Sequence, residues 1–220
     1  MIRRLLTYPI GPSRRFDALL IGGGLHLLAV WIPLLPLVAV AGYLSRVLAS
    51  TTTTGQRQID PGPPAWRPIR PLLRDGIRLY VAAGAYLVVP VGMLVVTLGG
   101  PLEQLDPTRG ADGLVFIAGS TVATLLAFAL LYPMPAALVA VANEGSLRAA
   151  VDTTRIRHAT RDAGYLVTTL LAAGSIGITA VVYRPLNAIA VGFVLAFYVE
   201  VVVAAALGGA VARAWRRQER

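Results

Sequence analysis

Five apolar stretches alternate with short polar segments along the chain: Ala18–Ser45, Leu79–Leu98, Leu114–Ala142, Tyr165–Tyr183 and Leu186–Ala212. A helix needs about twenty residues to cross the hydrocarbon of a bilayer. The second and fourth stretches fit one crossing each. The other three are longer, and proline pairs interrupt the first (Pro33, Pro36) and the third (Pro133, Pro135). Proline lacks a backbone donor and clashes with the preceding turn, so the segment Trp31–Pro36 is the expected point of reversal in the first stretch. Each arm then has about fifteen residues, which is short for a full crossing. Two forms stay open there, a short hairpin and a re-entrant loop. The expected fold is all-α: a polytopic transmembrane helix bundle of about six membrane segments, forming one integral membrane domain over residues 1–220.

Two polar segments have helical periodicity of their own. In Trp66–Tyr80 the apolar residues Trp66, Ile69, Leu72, Leu73, Ile77 and Tyr80 recur at helical spacing, while Arg67, Arg70, Arg74 and Arg78 occupy another face. This is the pattern of a helix lying in the headgroup region, with Pro68 and Pro71 confined to its first turns. Residues 49–64, rich in threonine, proline and glycine, read as its flexible approach. The second segment, Ser146–Asp162, follows Gly145, which is suited to end one helix, while Ser146 is suited to cap the next. Leu147, Val151 and Thr154 mark its apolar face; Asp152, Arg155, Arg157, His158, Arg161 and Asp162 supply the solvated one. One or two interfacial amphipathic helices are therefore expected beside the bundle.

Composition agrees with the membrane class. The chain is 56% hydrophobic and 14% charged, with a mean hydropathy of +0.67, against about a quarter charged in soluble domains. Its net charge of +9 sits at the borders of apolar spans, so anionic lipid headgroups, not nucleic acid, are the expected counter-charge. All basic residues are arginines, in four clusters: Arg3, Arg4, Arg14 and Arg15; Arg46, Arg57, Arg67, Arg70, Arg74 and Arg78; Arg148, Arg155, Arg157 and Arg161; Arg213, Arg216, Arg217 and Arg220. Only Arg109 and Arg184 lie elsewhere. With a reversal in the first stretch, all four clusters fall on one side; with a single crossing they are split. Basic residues are retained in the cytoplasm, so the reversal is favoured and both termini are expected to be cytoplasmic in a cell-membrane protein. Ser13-Arg14-Arg15-Phe16 loosely resembles a twin-arginine signal, but the apolar run that follows far exceeds a signal's apolar region and is read as a retained segment.

The chain has no cysteine and no lysine, which removes disulfides, thiolate chemistry, Schiff bases and phosphate-loop lysines. Two histidines without cysteine make no zinc spacing, and no nucleophile or nucleotide motif is present. Gly22-Gly23-Gly24 lacks the strand–turn–helix context of a nucleotide site. No catalytic residue, cofactor or metal is expected. Glu200 is the strongest candidate for chemistry, because an ionised carboxylate in mid-span is costly and intramembrane acids mark proton or ion pathways. The bland alternative is a glutamate that fixes helix packing. His26 is the other titratable group well inside an apolar run; the two would form a relay if they met. The interrupted stretches carrying Pro33, Pro36, Pro133 and Pro135 also fit a transporter with broken helices. Small residues at four-residue spacing (Gly119, Ala123, Ala127; Ala205, Gly209) are expected to let helices approach closely, within the bundle or in a homo-oligomer or membrane-protein complex. Arg67, Arg70, Arg74, Arg78, Arg155, Arg157 and Arg161 are the expected lipid-headgroup contacts.

Several runs taken in order carry a family resemblance. They are Tyr8-Pro9 with Leu20-Ile21-Gly22-Gly23 and Gly42-Tyr43-Leu44-Ser45-Arg46-Val47-Leu48; Pro63-Pro64-Ala65-Trp66 leading to Leu72-Leu73-Arg74-Asp75-Gly76-Ile77-Arg78; Tyr132-Pro133-Met134-Pro135-Ala136-Ala137-Leu138; Glu144-Gly145-Ser146-Leu147-Arg148-Ala149-Ala150; Tyr165-Leu166-Val167; and Gly192-Phe193 with Phe197-Tyr198. Together they resemble the multi-pass membrane family called domain of unknown function 4013, common in halophilic archaea. The resemblance implies an integral membrane protein with no established activity and carries over no catalytic residue. The expected function is that of a non-enzymatic membrane organiser or partner subunit; the alternative is a small proton- or ion-coupled transporter or channel component using Glu200.

Overall fold

The computed structural model describes residues 6, 8–10, 16–32, 34–53, 64–99, 110–187 and 190–218. Among them there is no strand. The helices, in chain order, are α1 (Phe16–Ala29), α2 (Leu34–Thr53), α3 (Ile69–Gly99), α4 (Gly110–Leu131), α5 (Met134–Glu144), α6 (Thr153–Thr160), α7 (Ala163–Asn187) and α8 (Val191–Gln218). Five segments are long and apolar enough to cross a membrane: Leu34–Thr52, Ile69–Met93, Ile117–Glu144, Ala163–Tyr183 and Val191–Arg217. The fold is an all-α polytopic bundle. Arg3, Arg4, Arg14, Arg15, Pro33, Arg57, Glu103, Asp106, Arg109 and Arg220 lie outside the described residues, as do the side chains of Asp112 and Arg184.

The first apolar stretch is a hairpin, but its arms are unequal. After a turn at Val30–Ile32 the chain returns as α2, which packs against α1. With 14 residues, α1 is about 21 Å long, too short for hydrocarbon about 30 Å thick; the 20 residues of α2 give about 30 Å. A short helical turn at Tyr8–Ile10 joins α1 against α8, with Pro9 fully buried. The Tyr198 hydroxyl donates to the Leu6 carbonyl at 2.7 Å.

Three boundaries differ from the sequence expectations. Residues 49–53 belong to α2, not to a flexible approach: Ser50, Thr51 and Thr52 return their hydroxyls to the carbonyls of Val47, Leu48 and Ala49, which keeps hydroxyl residues compatible with a helix. Among the described residues no separate interfacial helix precedes the second span. Instead α3 runs for 31 residues, about 46 Å, so its arginine-bearing first turns extend the same helix past the hydrocarbon. Those turns bury Leu72, Gly76 and Leu79 against α2, whereas Ile69, Ile77 and Tyr80 are exposed. Finally, the last turn between spans falls after Asn187, with Ala190 in the left-handed region (φ 59°), so Arg184 and Pro185 close α7 and do not form the turn themselves.

The third stretch breaks where its prolines sit. Pro133 precedes α5 and Pro135 lies in its first turn, where a missing N–H costs nothing. The Tyr132 carbonyl, exposed by the break between α4 and α5, accepts from the Tyr165 hydroxyl at 2.6 Å, and the Tyr132 hydroxyl donates to the Thr160 carbonyl at 2.9 Å. Such repairs are what a broken helix in lipid requires. Gly145 ends α5 in the left-handed conformation, as its type predicts, and Ser146 caps a short turn, Leu147–Val151. Asp152 then caps α6. The face of this segment was misread: Leu147 and Val151 are exposed, while Ala149, Ala150, Ile156 and Ala159 are buried. Alanines and Ile156, not Leu147 and Val151, meet the bundle here.

The core is built around α2 and α8, with Tyr43, Val47, Leu72, Ala136, Val139, Tyr165, Phe197 and Val201 at its centre. Helix α4 packs on α3 and helix α7 on α8.

Candidate functional site

Glycine brings the first helix against the last. A Cβ on Gly22 would fall inside the Phe197 ring, and one on Gly23 would overlap Val194. Without those two side chains α1 lies flush on α8. Four residues after Gly22, on the same face of α1, is His26. Three residues after Phe197 is Glu200. The approach of the backbones therefore delivers His26 Nε2 to Glu200 Oε1 at 3.1 Å. The contact that the sequence left open is made.

The protons on this pair follow from the second histidine nitrogen. His26 Nδ1 lies 2.9 Å from the Gly22 carbonyl. A carbonyl only accepts, so Nδ1 carries a hydrogen. A neutral His26 then offers Nε2 as an acceptor, and the contact with Glu200 needs one further proton, held on the carboxyl or on the imidazole. In either state the pair is neutral as a unit and holds one transferable proton. The His26 side chain is 12% exposed and that of Glu200 36%. Yet Glu200 Oε2 is closed off and has no hydrogen-bond partner among the described residues, so the exposed part of this side chain is not that oxygen. A cluster of rings backs the pair: Phe197 lies 6.0 Å from the His26 ring and 5.5 Å from Tyr43, on which Trp66 stacks at 4.4 Å.

The expected headgroup arginines divide into two groups. Arg67, Arg70 and Arg74 on the approach and first turns of α3 are exposed, as are Arg157 and Arg161 on and after α6. Arg78 faces Asp75 at 3.6 Å. Arg155, though exposed, is engaged by other residues of the chain: it pairs with Glu144, reaches Asp152 at 3.6 Å and lies 5.8 Å from the Trp215 ring, whose Nε1 donates to the Arg155 carbonyl. Arg46, counted only as one of a basic cluster, is a structural tie. Its guanidinium donates to the carbonyls of Ala65, Arg67 and Pro68 at 2.7–3.1 Å, holding the approach to α3.

The expected small-residue contacts are partly displaced. Ala123, Ala127 and Ala205 are buried, but nothing approaches Gly119, and only an arginine side chain nears Gly209. The tight crossings use other glycines. Added Cβ atoms would overlap the Leu72 carbonyl at Gly42, the Val38 carbonyl at Gly76 and the Thr51 hydroxyl at Gly208. Gly22 and Gly23, set aside above as lacking a nucleotide context, belong to the same set. The signal was available: Gly22 and His26 share one helix face, as do Phe197 and Glu200.

These features define a polytopic helical membrane protein with a histidine–carboxylate pair between its first and last helices. The chain belongs to the family described as Protein of unknown function (DUF4013), which matches residues 25–208. No curated protein and no solved structure matches it.

Proposed function

We propose that this chain is a non-enzymatic protein of the cell membrane that binds and passes protons through the His26–Glu200 pair, as a small proton-coupled transporter or a component of one. The observation that carries this reading is the 3.1 Å contact between Nε2 and Oε1 in a pair whose other histidine nitrogen is committed to the Gly22 carbonyl. Two groups with one proton between them, set among apolar helices, can exchange it without creating net charge, which is the costly event inside a bilayer. The arginine clusters support cytoplasmic termini and contact with anionic headgroups.

A second reading, a membrane organiser or partner subunit, is supported by α7: only 11% of its span is buried, which leaves a long apolar face for a second copy or another membrane protein. Proteoliposomes carrying an internal pH-sensitive dye separate the two. Under an imposed membrane potential the wild type is expected to take up protons, and Glu200→Gln and His26→Ala to lose that uptake. Equal uptake by wild type and both variants contradicts the relay. No uptake by the wild type favours the organiser, with Glu200 serving packing alone.

A further inference from the structure

A second polar site lies at the junction of α2, α3 and α5, away from the histidine–glutamate pair. It is a cavity of about 240 Å³ lined by Ser45, Arg74, Asp75, Arg78 and the C-terminal end of α5 from Val141 to Gly145. Arg74 and Arg78 are one helical turn apart, so their guanidinium groups rise from one face of α3. Asp75 lies 3.6 Å from Arg78, and Glu144 is paired with Arg155. Arg74 has no ion-pair partner among the described residues. Asn143 is spent on its neighbours, donating to the Val139 carbonyl and accepting from Thr52.

Ser45 is the telling residue. It is only 5% exposed, on the same helix as Ser50, Thr51 and Thr52, whose hydroxyls find partners. Among the described residues its hydroxyl has no hydrogen-bond partner, and the residue lines the cavity. A buried hydroxyl left without a partner costs free energy unless something in the cavity completes it. The carboxylates are compensated within the protein, so the unpaired cation sets the sign of what fits: an oxyanion.

We propose that this cavity binds the phosphate of a lipid headgroup, with Arg74 as the uncompensated charged donor, Arg78 sharing its guanidinium between the phosphate and Asp75, and the Ser45 hydroxyl as a third donor. Guanidinium forks suit phosphate oxygens. The arginine turns of α3 extend beyond the length needed to cross the hydrocarbon, which is where a headgroup phosphate resides. The reading is independent of proton transfer at Glu200.

The test uses the full-length protein, delipidated in detergent and titrated calorimetrically with dihexanoyl-phosphatidylglycerol, with dihexanoyl-phosphatidylcholine and with inorganic phosphate. The phosphatidylglycerol is expected to bind, and the double variant Arg74→Gln/Arg78→Gln to weaken binding roughly tenfold or more. Ser45→Ala, which removes only the hydroxyl and keeps the charges, is expected to weaken it about threefold. Arg216→Gln, exposed near the end of α8 and outside the cavity lining, is expected to leave it in place. Binding of inorganic phosphate as tight as that of the lipid would make the occupant a free oxyanion. An unchanged affinity in the double variant and in Ser45→Ala overturns the site, as does an equal loss in Arg216→Gln, which would mean diffuse surface charge.

Discussion

The inner group of helices and the two outer ones solve the membrane problem differently. Helices α2 and α8 each have 39% of their spans buried, against 11% for α7. The inner crossings pass through Gly22, Gly23, Gly42, Gly76 and Gly208, where no Cβ fits. A Cβ added at Gly119 in α4 or at Gly174 or Gly177 in α7 would meet no neighbouring element within 4 Å among the described residues, and large residues such as Leu125, Phe128, Leu171 and Val181 are exposed on those helices. Lipid tails are as apolar as these side chains, so exposing them costs little, and helix association must come from close packing and hydrogen bonds. A glycine in a membrane helix is therefore informative only where another backbone meets it.

The largest expected effect breaks or keeps that distinction. Gly42→Ala forces a methyl into the Leu72 carbonyl and is expected to cost about 3 kcal/mol of stability, read as a fall in thermal midpoint in detergent. Gly174→Ala, in open space, is expected to stay within about 0.5 kcal/mol. Similar losses in both would end the comparison. A smaller effect is expected at the helix break: Tyr165→Phe leaves the Tyr132 carbonyl without its donor and should cost about 1–2 kcal/mol. Ser175→Ala on α7 removes only a bond to its own helix, to the Leu171 carbonyl, and should be near neutral in the same assay. Smallest is Arg46→Gln, expected to lower stability by about 1 kcal/mol and to speed proteolysis near Ala65–Pro68; unchanged cleavage would show that other contacts hold this approach.

The apolar runs and their prolines made much of this legible. Runs of about twenty apolar residues predicted the spans, Pro33 and Pro36 the first reversal, Pro133 and Pro135 the break before α5, and Gly145 with Ser146 the caps after it. Boundaries were less legible where polar residues stayed helical. Ser50–Thr53 read as linker because their side-chain bonds to the preceding carbonyls are not visible in composition. The arginine turns of α3 read as a separate helix because charge, not backbone, changes at Arg78. The buried face of residues 146–162 was missed because alanines pack there while Leu147 and Val151 face outward.

For the site, the sequence picked both members of the pair from cost alone: His26 and Glu200 were the titratable groups inside apolar runs. Their meeting was not legible, since it depends on α1 crossing α8 at Gly22 and Gly23, with 174 residues between the partners. Ser45 gave no signal at all. A serine near a helix end is ordinary, and only its burial and missing partner set it apart.

The central claim is that His26 and Glu200 hold one proton between them, and nitrogen-15 NMR of histidine-labelled protein in nanodiscs tests it most directly, because the chain has only two histidines. The expected spectrum shows a protonated Nδ1 on His26, an Nε2 resonance displaced by its bond to Glu200, and a shift of that resonance in Glu200→Gln while His158 stays unchanged. An Nδ1 without a proton, or an Nε2 indifferent to Glu200→Gln, would contradict it.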